Sequence, residues 1–81
     1  MEIAAGEVWD VTHTRKGSFT ARFLQPVSPD QEWADLEIAE GTARFLSFEN
    51  RALGAGNTGE TITSRVSFLT LNKRRPEMEA A

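Results

Sequence analysis

The 81 residues contain no cysteine and a single histidine, His13. Disulfides and thiolate metal sites are therefore excluded, and no His/Cys cluster exists from which a zinc site could be built. No run approaches the roughly 20 consecutive apolar residues of a membrane-spanning helix, so no membrane partner is expected. The opening MEIAAGE lacks the basic flank of a signal peptide. Together with the missing cysteines, this points to a cytoplasmic protein. No segment keeps a helical period, and none repeats.

Catalytic signatures are equally scarce. Gly54-Ala55-Gly56-Asn57-Thr58-Gly59 spells G-x-G-x-x-G, but a dinucleotide fingerprint must open a helix, whereas the following ETITSRVSF has strand character. The stretch reads as a flexible hairpin loop. His13 lacks the orienting partner that a general base requires, since Asp10, three positions away on the same strand, faces the other side. It reads as a semi-exposed packing residue beside Phe19. No catalytic residue, metal ligand or cofactor site is expected, and the protein is read as a non-enzyme.

The net charge is −3. Lys73, Arg74 and Arg75 stand against Glu77 and Glu79 at the C-terminal end, so the last ten residues carry +1 and the preceding 71 carry −4. An acidic body is a poor default for non-specific nucleic-acid binding, which depends on neutralising phosphates. At this length one thin core is all that can form. A homo-oligomer would bury surface that such a core lacks.

What is present is β patterning. Glu7 to Leu24, EVWDVTHTRKGSFTARFL, reads as a hairpin around Arg15-Lys16-Gly17, with Gly17 in the positive-φ position of a bulged turn. Closing it with Thr14 opposite Ser18 pairs His13 with Phe19, Val11 with Ala21 and Trp9 with Phe23 on one face. Asp10 and Arg22, Thr12 and Thr20, and Val8 and Leu24 then share the other. Pro26 and Pro29 end the second strand.

Trp33 to Ala39 alternates next, with Ala34, Leu36 and Ile38 on one side and Trp33, Asp35 and Glu37 on the other. Glu40-Gly41 reads as a turn into a strand over residues 42–51, which places Glu37 opposite Arg44, Leu36 opposite Phe45 and Trp33 opposite Phe48. A last strand runs from Thr61 to Leu71, with Ile62, Val66 and Phe68 on one face and Thr63, Arg65 and Leu69 on the other. The expected organisation is a lead-in over residues 1–6, one domain over 7–71 and a flexible tail over 72–81, broken by Pro76.

Five short strands with tight turns imply an all-β fold, a small five-stranded antiparallel barrel. The hairpin HTRKGSFTARF, followed by a tryptophan-led strand and a glycine turn, resembles the SH3-like small-barrel class that includes KOW and Tudor domains. An OB-like barrel is the alternative, although no segment supplies the helix that fold usually carries. The resemblance implies an architecture used to bind RNA, DNA or protein tails.

Two surfaces follow. The first is a protein-binding face made of Trp33, Asp35, Glu37, Leu46 and Phe48, in which acids beside aromatics would steer a basic partner. It suits an accessory protein of a phage or mobile element that modulates a host complex. The second is a nucleic-acid surface made of Arg15, Lys16, Arg22, Arg44 and Arg65, with Trp33 as a stacking residue. Asp10 and Glu37 are expected to neutralise Arg22 and Arg44 across the strands, which weakens the second surface. The protein-binding face leads.

Overall fold

The computed structural model describes residues 2–15, 17–40, 43–46, 52–56 and 58–79. Seven strands account for most of them: β1 (Val8–His13), β2 (Gly17–Phe23), β3 (Trp33–Glu40), β4 (Ala43–Leu46), β5 (Ala52–Gly56), β6 (Thr61–Arg65) and β7 (Leu69–Arg74). Five form an antiparallel sheet in the order β6-β3-β2-β1-β7, and β4 and β5 form a two-stranded sheet of their own. Among the described residues there is no α-helix, only three-residue 3₁₀ turns at Val66–Phe68 and Pro76–Met78. The architecture is all-β, as the patterning predicts.

The first hairpin forms with its faces as expected but its register displaced. His13 lies opposite Gly17, Val11 opposite Phe19, Trp9 opposite Ala21, and on the other face Thr12 opposite Ser18 and Asp10 opposite Thr20. Each β1 residue thus meets a residue two places earlier on β2 than the expected pairing. An even shift leaves every side chain on its own face, so hydrophobic patterning alone does not distinguish the two registers. Bonds outside the pattern decide it. The Thr14 amide donates to the Phe68 carbonyl at 3.0 Å, which commits Thr14 to the chain before β7 instead of to Ser18. Thr12 Oγ1 and Ser18 Oγ lie 3.0 Å apart, and Thr20 Oγ1 donates to Asp10 Oδ1 at 2.7 Å, locking the observed pairs. Gly17 does take a positive φ, at 76°.

β3 is the middle of the structure. Its inward residues Ala34, Leu36 and Ile38 are buried, while Trp33 and Asp35 are exposed, as their alternation predicts. Both of its edges are occupied. Leu36 pairs with Phe23 of β2 on one side and with Ile62 of β6 on the other. The expected hairpin partner of β3, as far as it is described at Ala43–Leu46, does not pair with β3, and the rest of residues 42–51 lies outside the described residues. β4 pairs instead with β5, setting Arg44 opposite Ala55, Phe45 opposite Gly54 and Leu46 opposite Ala52. Gly54 and Gly56, expected in a loop, belong to β5. Gly59, at φ 94°, lies in the turn into β6.

The last long strand is also divided. The Val66 amide donates to the Glu32 carbonyl at 2.8 Å, the end of the β3–β6 ladder, and the 3₁₀ turn then carries the chain across to β1. The turn resets the alternation, so Ile62, Ser64 and Leu69 are buried while Val66 and Phe68 are only half-buried. The β1–β7 ladder passes Leu71, the expected end of the domain, and runs to Trp9 opposite Arg74, with Asn72 as an extra residue on β7.

The core gathers Ile3, Val11, Phe19, Ala21, Phe23, Val27, Ala34, Leu36, Ile38, Ile62 and Leu69. The expected lead-in contributes to it, because Ile3 bridges Val27 through reciprocal backbone hydrogen bonds of 3.0 and 2.9 Å. Phe23, Leu36 and Ile38 have no exposed surface at all. Truncating a buried phenylalanine costs about 3–5 kcal/mol, against a total of about 4–12 kcal/mol for a chain of this length. Phe23→Ala should therefore remove a large share of the stability and move the urea midpoint at 25 °C sharply down, whereas Phe68→Ala, at a half-buried turn position, should move it less.

Candidate functional site

The outward face of β2, β3 and β6 brings most of the predicted protein-binding residues together. Strand periodicity puts Trp33, Asp35 and Glu37 on this face, and the ladders set Arg65 beside Trp33, Thr63 beside Asp35, and Arg22 and Thr61 on either side of Glu37. Trp33 is 47% exposed and Leu24 is 37% exposed. Leu24 adjoins Asp35, since its amide donates to the Asp35 carbonyl at 3.0 Å. The same face therefore carries both apolar side chains.

Each charge on this face has a partner. Arg65 lies over the Trp33 ring, 4.7 Å from its centroid, and is ion-paired with Glu32. Thr63 Oγ1 donates to Asp35 Oδ1 at 2.7 Å, and Arg22 Nη1 to Glu37 Oε1 at 2.6 Å. The expected pairing of Asp10 with Arg22 and of Glu37 with Arg44 is thus corrected. Glu37 takes Arg22, and Asp10 takes Thr20 together with Arg75. Leu46 sits on β4, in the other sheet, and Trp33 has Arg65 as its ladder partner in place of the expected Phe48. Phe48 lies outside the described residues.

Of the five basic candidates, Arg22 and Arg65 share the Trp33 face, and both are neutralised there. Arg15 is at the far end of the first hairpin, its guanidinium 5.8 Å from the Phe68 ring centroid. Arg44 is on β4, and Lys16 lies outside the described residues. Leu24 was missed as a site residue. The signal for it was its place one step beyond inward Phe23 on an alternating strand, beside proline-rich sequence that leaves it uncovered.

His13 is buried instead of semi-exposed, with 4% of its surface accessible. Its ring meets Phe68 edge-on, with centroids 5.7 Å apart. The Arg15 amide donates to Nδ1 at 3.0 Å, so Nδ1 carries no proton and the ring is the neutral Nε2–H tautomer. Nε2–H then donates to Ser64 Oγ at 2.9 Å, and the Ser64 hydroxyl donates in turn to the Arg65 carbonyl at 3.0 Å. A serine nucleophile would need the opposite polarity, with Nε2 accepting the hydroxyl proton. This pair fastens the first hairpin to β6.

The C-terminal residues build a second cluster on the outward face of β1. Val8, opposite Arg22 on that face, is nonetheless fully buried. The Arg75 amide donates to its carbonyl at 2.8 Å, its own amide donates to Glu79 Oε2 at 3.2 Å, and Arg22 Nη2 donates to the Met78 carbonyl at 3.1 Å. Arg74 grips Glu79 through Nε at 2.8 Å and Nη2 at 2.7 Å. Those hydrogen bonds pull the Glu79 carboxyl down to about 2, with the Val8 amide and the charge of Arg74 adding to the effect. Hydrogen bonds from Thr20 and then Arg75 hold Asp10 below the usual carboxylate range. Among the described residues, no group of three or more His, Asp or Glu could hold a metal, and no helix is long and apolar enough to cross a membrane.

Comparison with protein-family models, with curated proteins and with solved structures finds no match.

Two outcomes test these clusters. Ser64→Ala leaves the buried Nε2–H of His13 without its acceptor, which should cost about 1–3 kcal/mol in urea melts; long-range ¹H–¹⁵N spectra of the wild-type ring at pH 7 should show the proton on Nε2. Glu79 is lowered from its ordinary 4.5 to about 2, so its contribution to stability is complete above about pH 4.5 and disappears as pH falls through 2. Glu79→Gln should therefore be less stable than wild type at pH 6, with the gap closing between pH 4.5 and 2.

Proposed function

We propose that the chain is a non-catalytic protein-binding module that engages its partner through the outward face of β2, β3 and β6. The observation that carries this reading is the exposure of Trp33, 47% accessible on the same face as Leu24 and beside Asp35 and Glu37. An aromatic and an aliphatic side chain left in water next to partnered charges form the anchor-and-rim arrangement of a binding surface. The stack of Arg65 on Trp33 supports it further, because it holds the indole in place before a partner arrives and so lowers the ordering cost of association.

We read the sheet as an SH3-like small barrel. In the order β6-β3-β2-β1-β7 the two edge strands are consecutive in sequence and joined by a three-residue 3₁₀ turn. Such a link draws the edges of a twisted sheet towards one another. On this reading the Trp33 face lies on the outer wall of the barrel. The role of the lone histidine, whose ring is hydrogen-bonded to Ser64 of β6 and to the Arg15 amide, supports a non-catalytic reading.

The experiment is affinity capture with wild type and Trp33→Ala, run beside titrations with single- and double-stranded oligonucleotides at two salt concentrations. A protein retained by wild type should be lost about 30-fold or more with Trp33→Ala, the scale of a tryptophan hot spot, while circular dichroism stays unchanged. Capture that is indifferent to Trp33, or saturable oligonucleotide binding that weakens with salt, would overturn the reading.

A further inference from the structure

We infer that the end of β7 and the start of β1 form a carboxylate-binding cradle, which Glu79 fills in cis and an acidic peptide segment of a partner protein can fill in trans. Three donors converge on one carboxylate there. Arg74 offers Nε and Nη2 as a fork, at 2.8 and 2.7 Å, and the Val8 amide closes the third side at 3.2 Å. A guanidinium fork with a backbone N–H is a geometry matched to a planar carboxylate. The fork is itself oriented, because Glu7 Oε1 lies 3.8 Å from Arg74 Nε.

The cradle exists because the β1–β7 ladder stops one bond early. The Arg75 amide still reaches the Val8 carbonyl. The backbone then turns away through the 3₁₀ turn that begins at Pro76, so the carboxylate of Glu79 stands where a strand would have offered the next carbonyl to the Val8 amide. The occupant's backbone has few ties to the sheet. Beyond Arg75 the segment is tied to the sheet through the Met78 carbonyl, which accepts from Arg22, and through Glu79 itself. Glu77 is bonded to Arg75 within the segment and adds nothing to the sheet. The Arg74 side chain keeps 48% of its surface in water, so an incoming carboxylate can reach the fork.

Glu79 thus shows what the cradle accepts: a carboxylate at the end of a single 3₁₀ turn, preceded by a carbonyl within reach of Arg22. The cradle is independent of the Trp33 face, although Arg22, bonded to both Glu37 and the Met78 carbonyl, lies between them.

The test uses the full chain with Glu79→Gln and a peptide of residues 75–79 acetylated and amidated at its ends, followed by ¹H–¹⁵N spectra. The expected result is a saturable shift of the Val8 amide and the Arg74 Nε–H, with wild type requiring at least tenfold more peptide because its own Glu79 competes at a high effective concentration. A second peptide, with glutamine at both acidic positions and a free C terminus, separates a side-chain carboxylate from a terminal one as the source; a response to this peptide alone would overturn the side-chain assignment. No shift at Val8 in the millimolar range, or equal shifts in wild type and Glu79→Gln, would overturn the cradle. Native-state hydrogen exchange on wild type decides the matter without any variant. The Val8 amide should exchange well before those of Val11 and Phe23. If all three exchange together, only on global unfolding, the cradle never opens and the inference fails. Trp33→Ala should leave every one of these results unchanged, so this inference and the proposed Trp33 interface fail separately.

Discussion

Everything in this molecule depends on β3 being hydrogen-bonded along both edges. A strand between two neighbours satisfies its backbone groups without water, and its alternate side chains can then be sorted completely between core and solvent. Ala34, Leu36 and Ile38 enter the core between Phe23 and Ile62, while Trp33, Asp35 and Glu37 are presented on a rigid surface. Core and candidate interface are the two faces of one strand. A change that loosens β3 would therefore damage both.

The outward face is a lattice of paired charges with two uncovered apolar side chains. Arg22 with Glu37, Thr63 with Asp35, and Arg65 with Glu32 and Trp33 leave no charge on that face seeking a partner among the described residues. Exposed pairs of this kind contribute little to stability, about 0–1 kcal/mol each. Their effect is on the surface itself. They hold the side chains around Trp33 in set positions and cancel the local field that a polyanion would need. The C-terminal residues apply the same chemistry to β1, where the fork of Arg74 and the carboxylate of Glu79 keep water from Val8.

Where sequence reasoning departed from the structure, the cause was a long-range partner. The Glu40-Gly41 turn signal favoured a local hairpin after β3, but that edge belongs to β6, some twenty residues further along, and β4 pairs with β5 instead. In the first hairpin, two registers bury the same side chains. The choice between them rests on the bond from Thr14 to Phe68 and on the cross-strand bonds of Thr12 and Thr20, none of which leaves a trace in hydrophobic periodicity. His13 looked like a hairpin-tip residue because its acceptor, Ser64, is far away in the chain.

The sequence by itself determined the all-β class, the existence of the first hairpin and of β3, the positive φ of Gly17, and the side of β3 on which Trp33, Asp35 and Glu37 would lie. These follow from the two-residue period and from glycine's freedom at positive φ, both local properties of the chain. Only the tertiary structure decided which strands are neighbours, that Arg22 serves Glu37 and Met78, that Leu24 is left in water beside Asp35, and that Arg74 and Val8 close on Glu79. Those outcomes depend on which distant segments meet, and each sheet edge can be filled once.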